Sequence, residues 1–319
     1  MIHRDYNIII NHMSIRSLVI GGAGFIGSTL CRALLDKGHN VICIDNLHTG
    51  SIDNIKDIKS KNFVFRQMDV LDIGVHNITA NLDYIYHLAC PASPIKYQED
   101  AVRTLNICFN GTQNVLELAR ETKAQLIFTS TSEVYGDPLE SPQRETYLGN
   151  VNCTGARSCY DEGKRVAESL IINYGKQHGV NYAIARIFNT YGPNMSETDG
   201  RVVSTFLAQA KRGLALTVYG TGQQTRSFCY VTDLVEGLVL LAESRESGPI
   251  NLGNPEEVTI LELCYLIGDL THNATPPIFM SRPEDDPCRR CPDITQAREK
   301  LGWQPTIDLR TGITKLCSM

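Results

Sequence analysis

Residues 15 to 45 constrain this chain more than any other stretch. Ile15 to Ile20 reads as a buried strand and runs straight into Gly21-Gly-Ala-Gly24-Phe-Ile-Gly27. A helical repeat of Phe25, Ile26, Leu30, Ala33 and Leu34 follows, then a second strand, Asn40 to Ile44, closed by Asp45-Asn46. The glycines let backbone amides approach a pyrophosphate, and the helix that opens there favours an anion at its N-terminus. A glycine triplet alone is weak evidence. Strand, turn, helix, strand and acid in that order predict a dinucleotide-binding βαβ unit. A carboxylate at Asp45 accepts hydrogen bonds from ribose hydroxyls and repels a 2′-phosphate, which points to NAD over NADP.

The pattern continues. Phe63 to Met68 reads as a third strand with Asp69 at its end, placed to meet an adenine edge. Tyr84 to Cys90 is a fourth, closed by Pro91-Ala-Ser-Pro94, whose prolines fix a turn. A helix over Ala101 to Glu121 is expected to turn Val102, Leu105, Val115, Leu116, Leu118 and Ala119 toward the sheet. Gln125 to Thr129 then runs into Ser130-Thr-Ser-Glu133-Val-Tyr-Gly136. Strands alternating with helices predict an α/β fold with a Rossmann-type, doubly wound parallel sheet, whose ligands bind beyond the strand carboxyl ends. Hydroxyls and a carboxylate at such an end can face a reacting ring, although Ser and Thr there also satisfy local backbone groups.

Tyr160 and Lys164 lie four apart, on one face of a helix. A phenol near pKa 10 is a poor base at neutral pH; a neighbouring cation and a nicotinamide ring would favour phenolate. Alone, Tyr-x-x-x-Lys is as easily a solvated helix face, and it gains meaning from the hydroxyl cluster upstream.

Composition excludes several classes. With 319 residues, 42% of them hydrophobic, the chain can bury a sizeable core, and a net charge of −5 leaves no basic field for nucleic acid. No apolar run reaches the length of a membrane span, which points to a cytoplasmic protein. The 11 cysteines, among them Cys31, Cys43, Cys90, Cys108 and Cys264, are scattered through apolar stretches as reduced, buried thiols are. Cys288-Arg-Arg-Cys291 has CxxC spacing, but no second pair or nearby histidine supports a metal site. Residues 1 to 14 read as a flexible extension.

Longer motifs narrow the reading. His87-Leu-Ala-Cys-Pro-Ala-Ser-Pro94, Thr129 to Pro138, Gly149-Asn-Val-Asn152, Arg157-Ser-Cys-Tyr-Asp-Glu-Gly-Lys-Arg165, Ala185 to Pro193 and Thr225 to Val231 occur in one chain. Together with Thr131 they make it resemble the extended short-chain dehydrogenase/reductases, and within them the UDP-glucuronate decarboxylases, over residues 15 to 310. Two departures stand out: Cys108 occupies a place where that family usually has Asn, and Leu148 one where it has Trp.

The resemblance implies NAD as cofactor, with Gly21, Gly24, Phe25, Ile26, Gly27, Asp45, Asn46, Asp69, Val70, Leu88, Ala89, Tyr160 and Lys164 around it. It implies UDP-glucuronate as substrate, met by Pro94, Arg103, Ser132, Asn189, Arg201, Val203, Tyr219, Arg226, Arg282 and Arg290. The catalytic set would be Tyr160, Lys164, Thr131, Glu133 and Arg290, with Arg290 meeting the sugar carboxylate. Residues 15–188 and 226–254 would form the NAD-binding domain, and 189–225 with 255–319 an interleaved nucleotide-sugar lobe. A homodimer is expected through the helices over Ala101 to Glu121 and Tyr160 to His178. Release of a 4-keto-pentose with NADH, a 4,6-dehydratase or 4-epimerase, and a catalytically silent sensor remain as alternatives.

Overall fold

The computed structural model describes residues 14–74, 78, 81–282 and 289–318. Residues 1 to 13 of the expected extension, and Cys288 of the CxxC pair, lie outside the described residues. In chain order the strands are β1 (Arg16–Ile20), β2 (Asn40–Asp45), β3 (Phe63–Gln67), β4 (Tyr84–His87), β5 (Gln125–Thr131), β6 (Tyr182–Ile187) and β7 (Thr190–Tyr191). Then come β8 (Thr217–Tyr219), β9 (Thr225–Ser227), β10 (Cys229–Tyr230), β11 (Pro249–Leu252), β12 (Glu257–Thr259), β13 (Ile278–Met280) and β14 (Arg289–Arg290). The helices are α1 (Phe25–Asp36), α2 (Pro94–Glu99), α3 (Ala101–Asn106), α4 (Thr112–Thr122), α5 (Ser158–His178), α6 (Val202–Lys211), α7 (Val231–Ser244), α8 (Ile260–Leu270), α9 (Thr295–Leu301) and α10 (Leu309–Cys317).

Seven strands form one parallel sheet in the order β11-β6-β5-β4-β1-β2-β3. Both faces are covered, so Leu18, Val19, Ile20, Cys43 and Ile44 are all buried; a parallel sheet reads as a continuous apolar run for this reason. Strand order reverses between β1 and β4, and the carboxyl ends of those two strands open the crevice in which ligands of such sheets bind. The glycine turn sits there.

The long helix after β4 differs from its expectation. A π-helical turn, Ile107–Gly111, separates α3 from α4. Its extra residue changes the helical phase, so Val115, Leu116, Leu118 and Ala119 are buried as expected while Val102 (79% exposed) and Leu105 (41%) face outward.

Beyond the large sheet lie the three-stranded sheet β12-β9-β14, the pair β13-β8, and α6, α8 and α10. A capping box between Thr259 and Glu262 starts α8. Strand β9 pairs with β12 and β14, and the chain rejoins the large sheet through β11. Buried Asp233 ties the tail to α7, its carboxylate accepting from Thr306 N (2.9 Å), Thr306 Oγ1 (3.0 Å) and Ile307 N (2.8 Å). Among the described residues every cysteine is free, and no helix is long and apolar enough to cross a membrane.

Candidate active site at the ends of the central strands

At the cofactor end the backbone leaves no room for side chains. Gly21 has φ +86°, and a Cβ there would stand 2.9 Å from Ala89 N; one at Gly27 would stand 2.1 Å from Gly21 O. Gly24 caps α1 with extended backbone and no side-chain partner, so the first amides of Phe25, Ile26 and Gly27 face the crevice. Asp45 closes β2, accepting from Ala23 N (3.0 Å) and Leu47 N (2.8 Å); burial pushes its carboxyl up against those two bonds. A cradle in which Cβ atoms cannot fit, facing a carboxylate, suits a dinucleotide pyrophosphate and its ribose.

Next to it Asn46 Nδ2 donates to Asp69 Oδ2 (2.7 Å), and Val70 packs where a side chain at Gly111 would go. Arg103, expected among the substrate contacts, sits on α3 one turn before the π-helical stretch and pairs with Asp69 at 2.6 Å. Leu88 and Ala89, expected around the cofactor, press their backbone against Gly21.

Strand β5 carries the expected hydroxyl cluster at its carboxyl end. Thr131 ends it, and its hydroxyl caps the following turn by accepting from Glu133 N (3.2 Å); Ser132 is buried beside it. Behind them Ser130 Oγ donates to Glu168, which pairs with Arg186 (2.7 Å), and Arg186 reaches Tyr135 Oη (3.0 Å). Tyr135 in turn donates to Asn251 Oδ1 (2.8 Å) on β11. This buried network holds the end of β5 rigidly.

Helix α5 brings Tyr160 and Lys164 to the same place, both buried. Tyr160 stacks on Tyr97, centroids 4.9 Å apart and planes within 5°. Lys164 Nζ donates to Thr129 O (2.8 Å) and lies 5.8 Å from the centre of the Tyr160 ring. The expected lowering of the phenol does not occur in the chain by itself. Burial, then the nearby Cys90 and Glu133, push Tyr160 well above its ordinary value, while Arg201 pulls slightly the other way. Desolvation of the phenolate outweighs the pull of the Arg201 cation.

Opposite Tyr160 lies a charged cluster. Glu133 takes a two-pronged bond from Arg290 (2.5 and 3.0 Å) and a third contact from Arg157 (2.7 Å). Burial alone would raise this carboxyl; Arg290, Arg157 and then Arg226 bring it down to about 2. Arg226 and Arg290 are register partners on β9 and β14, so the Arg226 charge lies near the carboxylate that Arg290 grips, while its own Nη1 donates to Thr225 O (2.8 Å). Asp161 is also buried, with Oδ1 unpartnered, and burial followed by the Glu133 charge pushes it up to about 8.

Arg157, Asp161 and Tyr97 were not singled out as site residues. The first two sit four apart inside the quoted Arg157 to Arg165 motif, a spacing that places them on one helix face. The remaining expected contacts fall on several elements. Pro94 opens α2, Arg201 caps α6 and pairs with Asp199 (2.8 Å), Val203 is buried in α6, and Asn189 precedes β7. Tyr219 ends β8 half-exposed, with Arg282 close to the neighbouring Gly220.

Known proteins share this arrangement. A family model described as the NAD dependent epimerase/dehydratase family matches residues 17–253. UDP-glucuronic acid decarboxylase 5 of Arabidopsis thaliana is 52% identical over 302 residues, 94% of this chain and 87% of that protein. UDP-glucuronic acid decarboxylase 1 of Danio rerio is 50% identical over 301 residues, 94% of this chain and 71% of that protein. Among solved structures, the UDP-glucuronic acid 4-epimerase of Bacillus cereus, in complex with UDP-glucuronic acid and NAD, superposes with a TM-score of 0.87 at 28% identity, covering 95% of this chain and 98% of that one.

Proposed function

Because the chain belongs to the NAD dependent epimerase/dehydratase family, we propose that it converts UDP-glucuronate to UDP-xylose through a 4-keto intermediate. The observation that carries this reading is the grip of Arg157 and Arg290 on Glu133 beside Tyr160. A neutral hexose needs no such charge, whereas a uronate brings a carboxylate at C5 and guanidinium forks match it.

When bound, NAD supplies reversible hydride acceptance at C4, which makes the uronate a β-keto acid and afterwards restores the alcohol. Gly21, Gly24, Phe25, Ile26 and Gly27 hold its pyrophosphate, Asp45 and Asn46 a ribose, Asp69 and Val70 the adenine, and Leu88 and Ala89 close the crevice. Tyr160 takes the C4 hydroxyl proton, with Lys164 supporting the phenolate and Thr131 sharing the hydrogen bond. As CO₂ leaves, electrons flow toward the C4 oxygen, and the protonated Tyr160 with Thr131 stabilises that oxyanion. Glu133 and Arg290 orient the ring and carboxylate; protonated Asp161 lies beside them as a proton source for C5. Arg226 and Arg282 take the diphosphate, Tyr219 the nucleotide end, and Pro94, Ser132, Asn189, Arg201 and Val203 line the sugar. Residues 189–225 with 255–319 act as the substrate lobe.

A second copy of the chain fits the outer face of α3 and α5. Val102, Leu105, Phe109 and Val166 are exposed there by 79, 41, 41 and 37%, an apolar surface across the two helices expected to make the homodimer.

Incubation with UDP-glucuronate and NAD, followed by NMR and by absorbance at the NADH band, tests the activity. UDP-xylose without net NADH is the expected product. Stoichiometric NADH shows release of the keto sugar, inversion at C4 with the carboxylate retained shows an epimerase, and no turnover refutes the enzyme.

A further inference from the structure

Two thiols beside the proposed active site have no part in the chemistry above. Cys90 follows β4 and is partly exposed; Cys108 lies in the π-helical turn and is buried. Their sulfurs are 3.4 Å apart, in van der Waals contact, although the residues are 18 positions apart in the chain. Room for Cys108 comes from Gly163 on α5, where a Cβ would stand only 3.0 Å from its sulfur. The π turn aims it inward, and such turns often mark sites where a helix is asked to do something besides pack.

We propose that Cys90 and Cys108 are an oxidisable dithiol, joined into a disulfide by a hydroperoxide, and that the bond disables the site by pulling its cofactor wall out of place. Cys90 is the attacking group. The Cys108 thiol donates to it and the Lys164 ammonium stabilises its anion, lowering it below the ordinary thiol value, whereas the Cys108 thiol is held well above it. Cys90 as thiolate attacks one peroxide oxygen, the O–O bond breaks, and with one proton taken up the products are a Cys90 sulfenic acid and water or an alcohol. The Cys108 sulfur then attacks the Cys90 sulfur, the S–O bond breaks, and the hydroxyl leaves as a second water with the thiol proton. Two thiols are oxidised by two electrons and one peroxide is reduced.

The geometry makes the consequence local. A disulfide needs its sulfurs at about 2.05 Å, so they must approach by more than an ångström. Cys108 is fixed between α4 and α5, which leaves the Leu88 to Cys90 segment to move. That segment presses on Gly21 at the mouth of the cofactor crevice, with 2.9 Å between Ala89 N and a Cβ at that position. Oxidation therefore draws the crevice wall away from the glycine turn. The bond itself does not depend on the sugar chemistry, and only the loss of turnover rests on the function proposed above.

The test treats the full chain with stoichiometric hydrogen peroxide, blocks remaining thiols and maps peptides by mass spectrometry. A Cys90–Cys108 linkage is expected, with turnover reduced about tenfold against the untreated sample and restored by dithiothreitol. Cys159, whose sulfur bonds Tyr97 O at 3.5 Å, is the nearest competitor, so Cys159→Ser should form the same linkage. Cys108→Ser should instead trap Cys90 as a sulfenic acid reactive to dimedone. Recovery of both cysteines as free thiols, under conditions that oxidise exposed Cys153, overturns the proposal. So does a mapped linkage with undiminished turnover. If the untreated chain turns over no UDP-glucuronate, the proposed function fails while the peptide map still decides whether the dithiol exists.

Discussion

Replacing Asp161 with Asn isolates what it takes to keep a carboxyl group dry beside another carboxylate. In the folded chain burial, and then Glu133, push Asp161 from 3.8 to about 8. The unfolded chain ionises it at the ordinary value. Between those limits the folded state holds a proton that the unfolded state has lost, so stability falls as pH rises through the window and is level above it. One proton is worth about 1.36 kcal/mol per pH unit, so the ceiling between about pH 5 and about pH 8 is about 4 kcal/mol. Turning Arg157 and admitting water toward the new charge reduces this to about 2 kcal/mol.

Glu133 adds nothing to that slope. Its carboxyl is held down to about 2, so it is ionised in both states across the window, and the stability it contributes is lost only in acid, between its ordinary 4.5 and about 2. Urea unfolding can be followed through Trp303, the single tryptophan, which is buried with its indole donating to Asp233 O at 2.8 Å. The unchanged chain should lose about 2 kcal/mol more than Asp161→Asn between about pH 5 and about pH 8. Parallel pH dependences would show that Asp161 is already ionised in the folded chain and would remove it as a proton source.

Three further substitutions probe the site. Tyr160→Phe should cut CO₂ release by about a thousandfold, in line with loss of a positioned acid or base, while calorimetric NAD affinity stays within a few-fold; retained turnover removes Tyr160 as the base. Arg290→Ala takes one guanidinium from a buried carboxylate, a change of about 3–5 kcal/mol in stability, and should depress CO₂ release more than UDP binding. An equal loss in both would place Arg290 with the nucleotide and not the uronate. Gly27→Ala puts a methyl group 2.1 Å from Gly21 O, so NAD titration should show no binding; unchanged affinity would mean the turn does not face the pyrophosphate.

Short-range patterns were the legible part. Strand, turn and acid from Ile15 to Asp45 follow one another in the chain, and Tyr160 with Lys164 needs only helical spacing to share a face. Three things depended on contacts between distant segments. Val102 and Leu105 turned outward because a π turn, set by packing on α5, changed the phase of an otherwise regular apolar repeat. The direction of Tyr160 followed from burial against Tyr97, Cys90 and Glu133, three separate parts of the chain. Arg226 and Arg290 stand side by side because β9 and β14 pair, and nothing local to either residue announces that register. The pairing of Arg103 with Asp69, 34 positions away in the chain, is likewise a contact that no local pattern announces.

The position of β11 bears on how this protein is made. As translation proceeds, β6 emerges long before Pro249–Leu252, and until then its outer edge has no strand beside it. An apolar edge such as Tyr182–Ile187 pairs readily with other chains. Ribosome-bound intermediates, or fragments cut after β6 to obtain the cofactor half alone, should therefore self-associate, and chaperone demand should fall once β11 has left the exit tunnel.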